Sequence, residues 1–262
     1  MNKRPIGIFD SGVGGTSIWK EINVLLPNED SIYLADSKNA PYGEKSKDEI
    51  IQLSIKNTEL LLAKGCKLIV VACNTATTNA IDYLRGHYNV PFIGIEPAIK
   101  PAALQSRSKT VGVLATKGTL SSSLFHSTSE NHAQSIRIIE QIGKGLVPLI
   151  EEGKINSNTT KELLITYLDP MLAEGIDYLV LGCTHYPYLI PVLEDLLPKH
   201  VKIIDSGEAV ARQTKAILER NKLIKSSKEK GKHQFITNTD MRVLKGFLKN
   251  NNSSIKITFQ DF

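Results

Sequence analysis

The chain has 262 residues, 41% of them hydrophobic and 23% charged, which excludes a disordered polymer and leaves room for one large domain or two smaller ones. Its formal charge of +5 raises the question of a nucleic-acid partner, yet much of the excess lies in one segment, where Lys222, Lys225, Lys228, Lys230 and Lys232 surround Glu229 without interleaved aromatics. That segment reads as a solvated loop, and no nucleic-acid partner is expected. Three cysteines, an odd number, argue against a disulfide framework. No apolar run is long enough to cross a bilayer, and Met1-Asn2-Lys3-Arg4-Pro5 leads straight into a strand-like Ile6-Gly7-Ile8-Phe9, so a cytoplasmic protein with no membrane association is expected.

Along the chain, strands are predicted at 6–9, 31–35, 68–72, 92–95, 111–115, 135–139, 178–181, 201–204 and 234–237. Helix-period segments separate most of them, among them 47–63, 158–173 and 208–220. The alternation predicts βαβ units and an α/β fold with mainly parallel sheets. The turn-rich strand ends Gly94-Ile95-Glu96-Pro97 and Ile204-Asp205-Ser206-Gly207 are the expected crossing points. They divide the chain into a first domain of 1–96 with 207–262 and a second of 97–206.

Two strands end alike. Leu68-Ile69-Val70-Val71-Ala72 runs into Cys73-Asn74-Thr75, and Tyr178-Leu179-Val180-Leu181-Gly182 runs into Cys183-Thr184-His185. Uninterrupted apolar runs of this kind suit strands buried on both faces of a parallel sheet, whose carboxyl ends are where ligands bind. Singly, each cysteine reads as a small buried hydrophobe. Together, with Thr77 and Thr78 also following Cys73, they read as two thiols at helix starts, each beside an anion site and each with its pKa lowered by the helix dipole. Two thiols facing one small anion can take a proton from one side of a carbon and return one to the other, which is racemase or epimerase chemistry. Each follows a long amphipathic helix, a hint of two related halves. His185, two residues after a thiol, can exchange a proton with it.

Other motifs admit two readings. Asp10-Ser11-Gly12-Val13-Gly14-Gly15 followed by Asp36 suggests a dinucleotide site, but Ser17 stands where the third glycine belongs, and a turn holding a small carboxylate on backbone amides fits better. Pro41-Tyr42-Gly43 is a β-turn or a ligand contact; Thr116 and Thr119 are helix caps or site residues. Glu151 and Glu152 read by default as a solvated helix end, and Cys66 is given no role.

These motifs, in this order, resemble the glutamate racemases, a family of cofactor-independent amino-acid racemases, from Pro5 to about Arg212. The resemblance implies two similar α/β domains with the active site between them, glutamate as substrate, D-glutamate for peptidoglycan as the purpose, no cofactor or metal, and a homodimer. It implies that Cys73 and Cys183 are the two bases, aided by Asp10 and His185 respectively. Asn74, Thr75 and Thr184 would hold the α-carboxylate and ammonium, and Ser11, Tyr42 and Gly43, with Pro41 in the same turn, the side-chain carboxylate. Asp36, Thr116, Thr119 and Glu151 are further candidates. Aspartate racemases share the mechanism, but the Pro-Tyr-Gly and Cys-Thr-His forms favour glutamate. Two readings of other classes stay open at this point, a nucleotide-dependent oxidoreductase on Gly12, Gly14 and Asp36, and a redox protein pairing Cys73 with Cys183.

Overall fold

The computed structural model describes residues 3–133, 136–248 and 254–262. Its strands form two sheets in which every ladder is parallel. The first contains β1 (Ile6–Asp10), β2 (Ser31–Ala35), β3 (Leu68–Val71), β4 (Phe92–Gly94), β9 (His233–Thr237) and β10 (Ile255–Phe259), in the order β10-β9-β2-β1-β3-β4. The second contains β5 (Thr110–Ala115), β6 (Arg137–Ile142), β7 (Tyr178–Gly182) and β8 (Lys202–Ile204), in the order β6-β5-β7-β8. The fold is therefore two α/β domains, one per sheet.

β1, β3, β5 and β7 are buried along their whole length, as their mainly apolar sequences require, because helices cover both faces. On one face of the first sheet Ile6, Ile8 and Val70 pack with Trp19 and Ile22 of the helix Thr16–Leu25 and with Val210, Ala211 and Leu218 of Gly207–Arg220. On the other, Phe9, Ile69 and Val71 meet Ile50 and Leu61 of Lys47–Ala63 and Ala80 and Leu84 of Asn74–His87. Each fully buried Ile or Leu contributes about 1.5–3 kcal/mol, so these two layers hold the sheet between them. Lys47–Ala63 begins in a capping box, with Ser46 and Glu49 satisfying each other's backbone N–H groups.

Three local expectations differ from the structure. The strand expected at 135–139 is Arg137–Ile142, with Ser135 outside the described residues. It is a half-exposed edge strand whose polar Glu140 and Gln141 mask its length. β10 was not anticipated, although Ile255, Ile257 and Phe259 alternate with polar residues as a half-buried edge strand does. The lysine-rich segment is largely exposed but not free: Lys225 pairs with Asp30 at 2.9 Å, Glu29 accepts its backbone N–H, and Lys232 N–H reaches Asp30.

Candidate active site

The order β2-β1-β3-β4 is repeated in the second domain as β6-β5-β7-β8, so each sheet has a switch point between its first and third strands, where the carboxyl ends leave a crevice. Register brings the ends level. Asp10 pairs with Ala35 and Phe9 with Val71, which sets Ser11, Asp36 and Cys73 along one edge; Ala115 pairs with both Ile142 and Gly182, which sets Thr116 and Cys183 along the other. The two edges face each other across one cavity of about 240 Å³. Ser11, Pro41, Tyr42, Gly43, Cys73, Asn74 and Thr75 line it from the first domain, and Thr116, Val147, Cys183, Thr184 and His185 from the second.

Cys73 caps the helix Asn74–His87, its Sγ accepting the Ala76 N–H at 3.4 Å, and lies 3.7 Å from Ser11 Oγ. The helix start does not lower its pKa, contrary to expectation. Burial pushes the thiol well up and the Asp10 carboxylate adds to the rise, outweighing the Ala76 and Ser11 hydrogen bonds. Asn74 Nδ2 is 3.5 Å from Ile95 O, while its buried Oδ1 has no partner. Thr75 shares hydroxyl contacts with Thr116 at 2.7 Å and Thr119 at 3.3 Å, tying the two walls together. Thr116 also caps its own helix, so it lines the cavity and serves as a cap at once. Thr119 sits behind it, fully buried.

On the opposite wall Cys183 Sγ is 3.8 Å from His185 Nδ1. His185 Nε2 is 2.6 Å from Glu151 Oε1, which also accepts the Val13 N–H at 2.7 Å, while Glu151 Oε2 accepts from Ser37 at 3.0 Å. Burial alone would depress the imidazole, but Cys183, Glu151 and the Asp10 charge hold its pKa well above 6.5. Glu151 is thus no solvated helix end; Glu152, paired with Lys154 at 2.6 Å, is. The glycine turn is explained here. A Cβ on Gly12 would come within 2.0 Å of Glu151 Oε1, and one on Gly14 within 2.3 Å of His185 Nδ1. The turn's amides are spent on the protein's own carboxylates, Gly12 and Gly15 N–H on Asp10 and Val13 N–H on Glu151, instead of on a ligand.

Asp10 and Asp36 stand behind the cavity wall. Asp10 accepts from Gly12, Gly15 and, at 3.1 Å, Thr184, and burial raises its pKa despite His185. It faces Cys73 as a charge. Asp36 accepts from Tyr42 at 2.5 Å, Asn238 at 2.5 Å and Asn39 at 2.8 Å, with Lys56 Nζ 3.3 Å away, so it anchors the tyrosine that lines the cavity. Val147, Ser37, Lys56 and Asn238 escaped sequence reasoning; no local pattern marks them, because their partners lie far along the chain. Cys66 is at the amino end of β3, away from the cavity.

The raised His185 has a measurable consequence. A group held protonated by folding adds stability that is complete below its unfolded pKa and disappears as pH rises through the folded value. The melting-temperature advantage of wild type over His185→Asn should therefore be largest below pH 6.5 and shrink above it. An advantage that is flat or grows with pH would mean that the ring is not held as a cation.

Known proteins place this geometry. The Asp/Glu/hydantoin racemase family model matches residues 7–214. A glutamate racemase of Herpetosiphon aurantiacus is 45% identical over 240 residues, 92% of this chain and 94% of that one. The solved glutamate racemase isoform of Bacillus anthracis superposes with a TM-score of 0.87 at 28% identity, covering 100% of this chain and 98% of the other. That of Escherichia coli, crystallised with L-glutamate and the activator UDP-MurNAc-ala, gives 0.86 at 33% identity, with 98% of each chain covered. A match over most of the chain, on a fold whose two crevices share one cavity, means that this chain belongs to the Asp/Glu/hydantoin racemase family.

Proposed function

We propose that the protein interconverts L- and D-glutamate, using Cys73 and Cys183 as its two bases, and so supplies D-glutamate for peptidoglycan. The observation that supports this reading is the placing of the two thiols on opposite walls of one cavity. Relatives of this length and likeness are glutamate racemases, and the one from Escherichia coli was crystallised with L-glutamate.

In the L-to-D direction the Cys183 thiolate, facing the His185 imidazolium, takes the α-proton, and the Cys73 thiol gives its own proton to the other face of the carbanion. The electron pair left on Cα forms the new C–H bond, and the thiols end with their protonation exchanged. Cys73 suits the second step because burial keeps it protonated; in reverse, the same burial makes its thiolate a strong base toward a weakly acidic C–H. With water excluded, fixed dipoles act on the developing charge in a medium of low dielectric. Asn74, Thr75 and Thr184 hold the α-carboxylate and ammonium. The unpartnered Asn74 Oδ1 is an acceptor that an ammonium satisfies, relieving a cost of about 1–3 kcal/mol. Ser11 and the backbone N–H groups of Tyr42 and Gly43 take the side-chain carboxylate, the Tyr42 hydroxyl being given to Asp36, with Pro41 and Thr116 shaping that end. Asp10 assists Cys73, and Glu151 holds His185 in place.

In this reading the first domain is 1–96 with 207–262 and the second 97–206, and Ser206 Oγ donates to Glu96 O where the chain crosses. The protein works in the cytoplasm as a homodimer. Among the described residues no helix is long and apolar enough to cross a membrane.

Purified protein with chelator and no added cofactor should erase the circular dichroism of L-glutamate and leave that of L-aspartate nearly intact, while light scattering reports twice the chain mass. Equal rates on aspartate, or activity that chelator abolishes, would overturn the assignment.

A further inference from the structure

A second cavity adjoins the reaction cavity. Pro41, Gly43, Thr116 and Val147 line both, but the second is about 840 Å³ where the first is about 240 Å³. Its walls come from both domains, Glu44 beside the Pro41-Tyr42-Gly43 turn on one side and Lys117, Lys144 and Pro148 on the other. The partition between the two spaces is thin. A Cβ on Gly43 would come within 2.7 Å of Thr116 Cβ, and one on Gly118 within 2.8 Å of Thr75 Cγ2, so backbone from one domain lies directly on side chains of the other. Were the domains to part, the reaction cavity would open at this contact, into the larger space.

Charge at that place is not balanced. Lys117 and Lys144 are exposed, and neither is in an ion pair among the described residues, while Glu44 is the one acid in the lining. A concave, low-dielectric wall with an excess of one sign of charge raises the local concentration of the opposite ion. We infer that this antechamber is the substrate's way in and that Lys117 and Lys144 gather a monoanionic dicarboxylic amino acid at the Gly43–Thr116 door. The inference rests on glutamate as substrate, which at neutral pH carries two carboxylates and one ammonium. The lysines act before the chemistry, on capture, so they belong to KM and leave kcat to the residues around the thiols.

The test is steady-state racemisation by Lys117→Gln, Lys144→Gln, the double variant and Glu44→Gln, in salt of about 0.01 M and about 1 M, where the Debye length is about 30 Å and about 3 Å. At low salt each lysine variant should raise KM about 2- to 5-fold and the double variant about tenfold, with kcat little changed. Glu44→Gln should lower KM at low salt, and all four should converge on wild type at high salt. Lys161→Gln, exposed on the helix Asn158–Ala173, is the control and should match wild type at both. KM equally high for both enantiomers is required, because L- and D-glutamate carry the same charge. Wild-type activity with KM unchanged in the double variant, or raised equally at both salt concentrations, overturns the entrance and leaves the racemase reading standing. A wild-type protein that does not racemise glutamate overturns both.

Discussion

Serine in place of either Cys73 or Cys183 should lower glutamate racemisation by about a thousandfold or more in both directions, in the range that a positioned acid–base group contributes. The equilibrium between enantiomers belongs to the solution, so kcat/KM falls by one factor whichever isomer is supplied. Exchange with solvent shows which thiol remains. In heavy water Cys73→Ser should still wash the α-hydrogen out of L-glutamate through Cys183, and Cys183→Ser out of D-glutamate through Cys73, which proton NMR follows directly. Cys66→Ser should behave as wild type: that thiol is buried beneath Gly7 and Leu61 in the core, and its pKa is pushed up to about 12. If Cys66→Ser were as damaging as the others while all three variants stayed folded, the two-thiol reading would be wrong.

The largest loss of stability is expected at Lys67→Met. Lys67 Nζ meets Glu29 Oε2 at 2.5 Å, with side-chain exposures of 0% and 4%. Removing one partner strands the other charge in the interior, at a cost of roughly 3–5 kcal/mol. Glu29 also accepts the Lys225 N–H at 2.6 Å, so the basic segment should loosen with it. The double variant Lys67→Met, Glu29→Gln should recover most of the loss in urea unfolding. Lys67 precedes β3 and the cavity lies beyond its other end, so kcat should be retained by the folded fraction. A loss below about 1 kcal/mol for the single variant would show that water reaches Glu29 and solvates it.

Much of this was legible in sequence because it is local. Apolar runs ending in Cys73 and Cys183 announce buried strands, and a buried parallel strand has only one end at which a side chain can meet a ligand. Glu151 was not legible. Its partners are Val13, Ser37 and His185, and only folding brings a short helix of the second domain onto the glycine turn of the first. The glycine turn implies a close approach in sequence, but the approaching groups are side chains of this chain. The direction of the Cys73 shift was beyond any sequence pattern, since a helix start favours the thiolate and only complete burial beside Asp10 reverses it. β10 shows the opposite case, an alternating pattern that is present in the sequence but too short and polar to stand out beside the unbroken apolar runs.

The repeated strand order carries a consequence for handedness. Rotating one half-chain by a two-fold axis through the cavity would set its third-strand thiol opposite its own copy, so a pair of identical halves would already treat both faces of a planar carbon alike. A single chain holding both halves is released from that identity. It can give one thiol a serine and a carboxylate as neighbours and the other an imidazolium, as Ser11 and Asp10 stand by Cys73 and His185 by Cys183. The two barriers, one for each mirror image, can then be tuned separately although the reaction they bound is symmetric.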